Sequence, residues 1–350
     1  MSIEEEIKKL EEEIKNTPYN KATEYHIGKL KAKLSRLREE LKKKTKGKKS
    51  YGFAIKKAGD ASVAIIGPPS VGKSTLLNML TNAESRVGNY NFTTTHVIPG
   101  MMDYKDCKIQ LLDLPGIIYG ASNGKGRGRE IISMARVVDL ILIVVDVFTI
   151  NEIEKIENEL YKAGIRLNQN PPNIIIKKKD RGGINIEMVK GKIDIETAKA
   201  IAMEYLSNAD IFIRDSINEE QLIDALIGNR VYIPSIIAVN KIDIKNVRLN
   251  KDAIYVSAKN GIGIEKLKEK IFEKLKLIRI YLKPEGREID KPMVLKRGAK
   301  IKDVCNNLHK DFIKNFRYAV INGPSADFPG QRVGLNHELK DGDIVTIIAR

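Results

Sequence analysis

SVAIIGPPSVGKSTLLNMLTN, residues 62–82, is the stretch on which the reading of this chain turns. SVAII is an apolar, largely β-branched run, expected as a buried strand. Gly67, Gly72, Lys73 and Ser74 then fit G-x-x-x-x-G-K-[ST], and Leu76, Leu77 and Leu80 follow at helical spacing. A strand, a glycine loop and a helix in that order are the setting in which this pattern cradles phosphate. The glycines allow backbone geometry closed to other residues, so N–H groups point into one concavity. The helix adds its positive N-terminal end. Gly67, Pro68, Pro69, Ser70, Val71, Gly72, Lys73, Ser74 and Thr75 are therefore candidate phosphate-binding residues. Lys73 is expected to reach the β- and γ-phosphates, and the Ser74 hydroxyl to ligate Mg²⁺. The bland alternative is a glycine turn before an ordinary helix, which an eight-residue pattern in this setting argues against. The loop alone does not separate ATP from GTP.

Working outward, the chain has 350 residues, more than one domain usually holds. Its 61 Lys+Arg against 45 Asp+Glu leave a net charge of +16. That excess points to a polyanionic partner, RNA first, against the plain reading of a soluble surface. Cys107 and Cys305 lie far apart and form no metal or redox spacing, which fits a reducing cytoplasm. The N-terminus is charged, without a secretory pattern. The longest apolar run, residues 137–148, is too short to cross a bilayer and contains Asp139 and Asp146, so no membrane association is expected.

Residues 1–50 read as a helical region. Pro18 separates a first helix from a second whose Leu30, Leu34, Leu37 and Leu41 form one stripe, ending in a lysine-rich run at 42–49. Either the basic end touches RNA or a ribosome, or the leucines pack on the next domain. Residues 88–100, GNYNFTTTHVIPG, form a Thr-rich loop of the type that completes a Mg²⁺ shell, with Thr93, Thr94 and Thr95 all chemically suitable. A strand at 108–112 leads into Asp113-Leu114-Pro115-Gly116. Asp113 at that strand end is suited to hold Mg²⁺ through water, and the Gly116 N–H to bind the γ-phosphate. A glycine-rich segment at 116–128 follows, expected to order on the γ-phosphate. Ile117 occupies the place where Ras-like enzymes carry a water-orienting Gln; it forms no hydrogen bond to water, so intrinsic hydrolysis is expected to be slow.

A buried parallel-sheet strand, 139–146, precedes a long gap before Asn240-Lys241-Ile242-Asp243. An Asp there can accept from both N1–H and the exocyclic amine of guanine; adenine would leave it unpaired. Lys241 would cover the base with its stem. Ser257-Ala258-Lys259, after a strand at 253–256, would bring backbone N–H groups near guanine O6. The strands and helices alternate as in a doubly wound α/β sheet with its ligand at the strand ends. Short strands and helices between residues 161 and 230 read as a small inserted αβ domain with a basic cluster at Lys177, Lys178 and Lys179. The last 71 residues, 280–350, read as a β-grasp module with no catalytic constellation, leaving 51–160 and 231–279 as the nucleotide domain.

Taken together, these residues resemble the developmentally regulated GTP-binding protein family, of archaeal type, a branch of the Obg-like GTPases. GPPSVGKST, FTT, DLPG, GKGRGRE, RLNQNPPNI, KKKDRGGIN, GNRVYIP and NKID carry the resemblance, and the C-terminal run from IRIYLKP to IVTIIAR, residues 278–350, resembles a TGS domain. The match spans nearly the whole chain. It implies a P-loop GTPase with an N-terminal helical hairpin, an inserted domain and a TGS domain, binding GTP/GDP and Mg²⁺ and acting in translation on the ribosome or RNA. Relatives also imply K⁺ and, in eukaryotes, a stabilising protein partner; no DNA specificity is implied. By motif the resemblance selects Ser74, Thr94 and Asp113 as metal ligands, and Lys73, Thr94 and Gly116 as the catalytic set. It adds nucleotide contacts at Phe92, Thr93, Leu114 and Pro115, and guanine contacts at Asn240, Lys241, Asp243, Ser257, Ala258 and Lys259. Two departures stand out: Ser70 where many K⁺-activated GTPases have Asn, and His96 in place of an apolar residue. A rival from another class is a nucleotide-gated RNA- or ribosome-binding scaffold with negligible hydrolysis, to which Ile117 gives weight.

Overall fold

A reciprocal cap opens the first helix. Ser2 Oγ accepts from the Glu5 N–H while the Glu5 carboxylate accepts from the Ser2 N–H, closing two donors that a helix start leaves open. The computed structural model describes residues 2–44, 58–81, 98–114, 128–189, 191–245, 247–283 and 292–349. These fall into two units, one within Met1–Phe53, Tyr119–Ile132 and Asn158–Tyr232, the other within Ala54–Ile118, Ser133–Glu157 and Ile233–Arg350.

Helices α1 (Ile3–Asn16) and α2 (Glu24–Lys44) form the hairpin. Leu30, Leu34 and Leu37 of α2 cluster with Leu10, Ile3, Ile7 and Ile14 of α1. The leucine stripe thus builds the hairpin's own core rather than lying on the next domain, because α1 is amphipathic in the same register. The basic run at 42–49 lies outside the described side chains.

In the second unit, β1 (Ala61–Ile66), buried along its length, leads through the phosphate-type loop into α3 (Lys73–Leu80). Along the chain next come β2 (Ile98–Tyr104), β3 (Cys107–Asp113), α4 (Gly128–Ala135), β4 (Leu140–Asp146) and α5 (Glu152–Lys162), of which Gly128–Ile132 and Asn158–Lys162 belong to the first unit. The Thr-rich stretch expected as loop up to residue 100 gives its last three residues to β2, since the β3 edge offers that segment a full antiparallel ladder.

The chain then contributes elements to the first unit: β5 (Ile165–Leu167), β6 (Ile174–Lys178), β7 (Ile184–Met188), α6 (Ile195–Met203), β8 (Ala209–Ile213), α7 (Glu219–Ile227) and β9 (Val231–Ile233). Strands β6, β8 and β7 form a three-stranded sheet, and β5 pairs with β9. Ile184, Ala198, Ile201, Ile211, Ile213 and Leu222 share a core with Ala32 of α2. Lys179 is ion-paired to Asp210 at 2.5 Å and Lys177 lies over the Phe212 ring, so two of the three clustered lysines serve the sheet itself.

Strands β10 (Ser235–Asn240) and β11 (Ile254–Tyr255) complete a six-stranded sheet ordered β11-β10-β4-β1-β3-β2, with α8 (Ile264–Leu275) closing it. β1, β3, β4, β10 and β11 run parallel, so their carboxyl ends meet at one rim. Lys276, at φ 52, turns the chain from α8 into β12 (Leu277–Leu282).

The β-grasp module follows with β13 (Met293–Lys296), α9 (Ile301–Leu308), α10 (Lys310–Lys314), β14 (Phe316–Asn322), β15 (Gln331–Val333) and β16 (Ile344–Ala349). Its sheet order is β13-β12-β16-β14-β15 over a core of Ile278, Ile280, Ile301, Val304, Ala319, Ile321 and Val345. Arg279 meets Asp341 at 2.8 Å, and Lys296 meets Asp139 at 2.9 Å on the other sheet. Among the described residues no helix is long and apolar enough to cross a membrane.

Candidate functional site

The rim where the parallel strands end carries most of the residues singled out by sequence. The phosphate-type loop is shaped by two tight backbone approaches. A Cβ on Gly67 would sit 1.9 Å from the Val144 carbonyl oxygen, and one on Gly72, at φ 88, would sit 2.5 Å from Asn240 Nδ2. Ser70 between them is itself left-handed, at φ 63. Such conformations persist only where the surroundings over-determine them, and they cluster at ligand-binding loops. Here the surroundings are the base-type loop. Asn240 Nδ2 donates to the Val71 carbonyl at 2.9 Å, and Lys241 Nζ donates to the Ser70 carbonyl at 2.9 Å.

Lys73 folds back on its own loop, donating to the carbonyls of Gly67 at 3.1 Å and Pro68 at 2.7 Å. Burial lowers its pKa, and the Asp113 carboxylate works against that shift. A phosphate oxygen would compete with those two carbonyls for the same ammonium.

Ser74 Oγ donates to Asp113 Oδ2 at 2.8 Å, so the two expected metal ligands from β3 and α3 are brought together. Asp113 Oδ1 is buried and has no hydrogen-bond partner among the described residues. An unpaired buried oxygen costs about 1–3 kcal/mol, which a folded protein bears where a ligand supplies the partner. A hydroxyl beside a carboxylate with one open oxygen is the hard donor set that Mg²⁺ takes, so the residues present fit that ion.

At the base-reading end, Asp243 is exposed and pinned by the Ser257 hydroxyl, which donates to it at 2.6 Å. That hydrogen bond lowers the Asp243 pKa. Ser257 was expected to act through its amide; its side chain orients the acid instead. The Ser257 N–H bonds the Ile262 carbonyl and the Ala258 N–H bonds Asn240 Oδ1. Both amides are therefore taken by the protein, because Asn240 and the short bridge to Ile262 reach them first. Lys259's is the amide of the three with no protein partner among the described residues.

Sequence reasoning missed Asp146. It sits at the end of β4 with its side chain nearly buried and accepts from Lys241 Nζ at 2.6 Å, Thr149 Oγ1 at 2.9 Å and the Phe148 N–H at 3.0 Å. Burial pushes its pKa up, but the hydrogen bonds and the Lys241 charge outweigh it and the net shift is downward. The detectable signal was a lone carboxylate ending an otherwise apolar strand, in register with Asn240 on the neighbouring strand. Phe92, Thr93, Thr94, Pro115, Gly116 and Ile117 lie outside the described residues.

The strand order, the loop and the rim residues define a P-loop GTPase domain, followed by a TGS domain. The model described as "50S ribosome-binding GTPase" matches residues 62–179, that for the C-terminal region of the same domain residues 181–277, and that for the TGS domain residues 278–349. A GTP-binding protein of Methanocaldococcus jannaschii, named as uncharacterised, is 55% identical over 100% of this chain and 94% of its own length. The Xenopus laevis developmentally-regulated GTP-binding protein 1 is 46% identical over 98% of both chains. The Dictyostelium discoideum homologue of that protein is 45% identical over the full length of both. This chain belongs to the developmentally regulated GTP-binding protein family. Among solved structures, the Schizosaccharomyces pombe YchF GTPase matches 84% of this chain and 99% of its own, at 18% identity and a TM-score of 0.46.

Proposed function

We propose that the chain binds GTP, hydrolyses it slowly to GDP and phosphate in a Mg²⁺-dependent way, and uses the cycle as a switch on the ribosome or RNA in the cytoplasm. The observation that carries this reading is the coupling of the two loops. Asn240 and Lys241, from the base-type loop, hold the carbonyls of Val71 and Ser70 in the phosphate-type loop. A purine seated against Asp243 and a phosphate tail seated on residues 67–75 would thus be recognised together. Mg²⁺, when bound, would supply neutralisation of charge on the β- and γ-phosphate oxygens. Ser74 and Asp113 would hold it, and Thr94 is proposed as the third protein ligand. Lys73 would donate to the phosphate tail, and the Gly116 N–H to the γ-phosphate. Asp243 would accept from the guanine edge, and Lys259's amide would donate to O6.

The partner reading rests on the net charge of +16 and on the TGS domain, a module without a visible catalytic set. A stabilising protein partner is part of the same proposal. The test is steady-state phosphate release from GTP, with and without ribosomes, in K⁺ and in Na⁺. Mg²⁺-dependent release that rises with ribosomes supports the switch, and a further rise in K⁺ extends it to an alkali-cation site near Ser70. A rate that stays at background in every condition, with GTP still bound, selects the scaffold reading instead.

A further inference from the structure

RLNQNPPNI, residues 166–174, takes no part in the nucleotide rim. Arg166 and residues 169–172 of this stretch, with Tyr161, Lys192, residues 215–218, Glu220, Gln221 and Asp224, line a cleft of about 450 Å³ within the first unit, a size typical of ligand sites. The floor of this cleft is chemically closed. Arg166 Nε and Nη2 donate to the two oxygens of Asp224 at 2.5 and 2.7 Å, and Arg166 Nη1 donates to the Tyr161 carbonyl. The guanidinium lies 3.5 Å from the centre of the Tyr161 ring. Tyr161 donates its hydroxyl to Glu220, and Asn218 and Gln221 are spent capping α7.

The walls are open. The side-chain amides of Gln169 and Asn170, the Ser216 hydroxyl and Asp215 Oδ1 have no hydrogen-bond partner among the described residues; Asp215 Oδ2 accepts from the Asn173 N–H at 2.9 Å. Pro171 and Pro172 between them form a stiff surface with no N–H to compete. Arg166 and Lys192 face Asp215, Glu220 and Asp224. Including the ion partners Lys31, Arg230, Glu39 and Glu219 still leaves one more carboxylate than cation. In a chain of net charge +16 this is a local reversal.

We propose that this cleft binds an extended segment of a partner polypeptide that presents a lysine or arginine to Asp215. A primary amide donates and accepts at once, which matches the alternating C=O and N–H groups of an extended backbone. The cation completes the open oxygen of Asp215. RNA is disfavoured here, because among the described lining residues a phosphate would meet the carboxylate excess with no unpaired cation beyond Lys192.

The test uses the full chain and three fluorescein-labelled probes: a decapeptide of alternating Ser and Lys, its Ser-Glu counterpart, and decauridylate. Asp215→Asn and Asn170→Ala are each expected to weaken the Ser-Lys peptide about tenfold, while decauridylate, held by other surfaces, changes less than about twofold. Lys192→Ala is expected to tighten the Ser-Lys peptide about twofold, a gain that a damaged fold would not produce. A Ser-Lys peptide that does not bind, or that is indifferent to all three substitutions, overturns the proposal. Parallel loss of decauridylate makes the cleft an RNA contact instead, and equal loss of the Ser-Glu peptide removes the role of Asp215 charge. None of these outcomes bears on GTP binding.

Discussion

Asp224 and Asp113 are both buried carboxylates, and the two halves of the molecule treat them in opposite ways. Asp224 is saturated: Arg166 takes both oxygens and Arg230 adds a third bond at 3.0 Å. Asp113 receives one hydroxyl and keeps a buried oxygen unpaired. A saturated buried pair holds a fold in one arrangement, and loss of either member leaves the other stranded. An unsaturated buried oxygen is a standing cost, and this one lies beside the phosphate-type loop, where the proposed Mg²⁺ would offset it. The contrast separates a structural network from a binding one by counting partners alone.

Three substitutions probe that contrast. Arg166→Met keeps the bulk but strands Asp224, and is expected to cost about 3–5 kcal/mol in thermal or denaturant unfolding. GTP affinity measured below the new midpoint should stay close to that of the parent chain. A small cost would mean that Arg230 alone satisfies Asp224. Lys73→Ala removes a group whose hydrogen-bond partners among the described residues are two loop carbonyls, so stability should hardly move. Phosphate release should fall about 10²–10³-fold, the loss typical of one transition-state donor. Unchanged turnover would remove this loop from the reaction.

Asp146→Asn gives the smallest effect and sharpens the comparison most. Asparagine keeps the acceptor for Thr149 and the Phe148 N–H but loses the charge that holds Lys241. GTP is expected to dissociate about tenfold faster, as for loss of one charge-assisted hydrogen bond. The pH dependence follows from the lowered Asp146 pKa. A depressed carboxylate contributes stability above its unfolded pKa, about 3.9, and loses it as pH falls through the lower folded value. The difference between parent and variant should therefore be flat between about pH 6 and 8 and shrink below about pH 4. A difference that grows on acidification would contradict this pairing.

The fold was readable where local pattern and tertiary role agree. The loop at 67–74 lies between β1 and α3 as its motif requires, and Asn240 ends a strand in register with Asp146. It was not readable where a neighbour decides. Ile98–Tyr104 carries Pro99 and Gly100 and looks like loop until the β3 edge pairs with it. The three-residue strands β5, β9 and β15 are too short to show a period. The leucines of α2 have the spacing of a packed stripe, but spacing does not say that α1 is the partner. At the site, residue types were legible and bonds were not. Ser257 proved to orient Asp243 through its hydroxyl, and Asp146 to hold Lys241, because both relationships join residues far apart in the chain.

The central claim is that one acid reads one purine while the coupled loop holds its phosphates. Titration calorimetry of the parent chain and of Asp243→Asn with GTP, ATP and xanthosine triphosphate tests it most directly. The account expects the parent chain to take GTP at least about 10²-fold more tightly than ATP, and the variant to lose GTP affinity while gaining xanthosine triphosphate. A parent chain that binds ATP as well as GTP, or a variant whose guanine preference is intact, would contradict it.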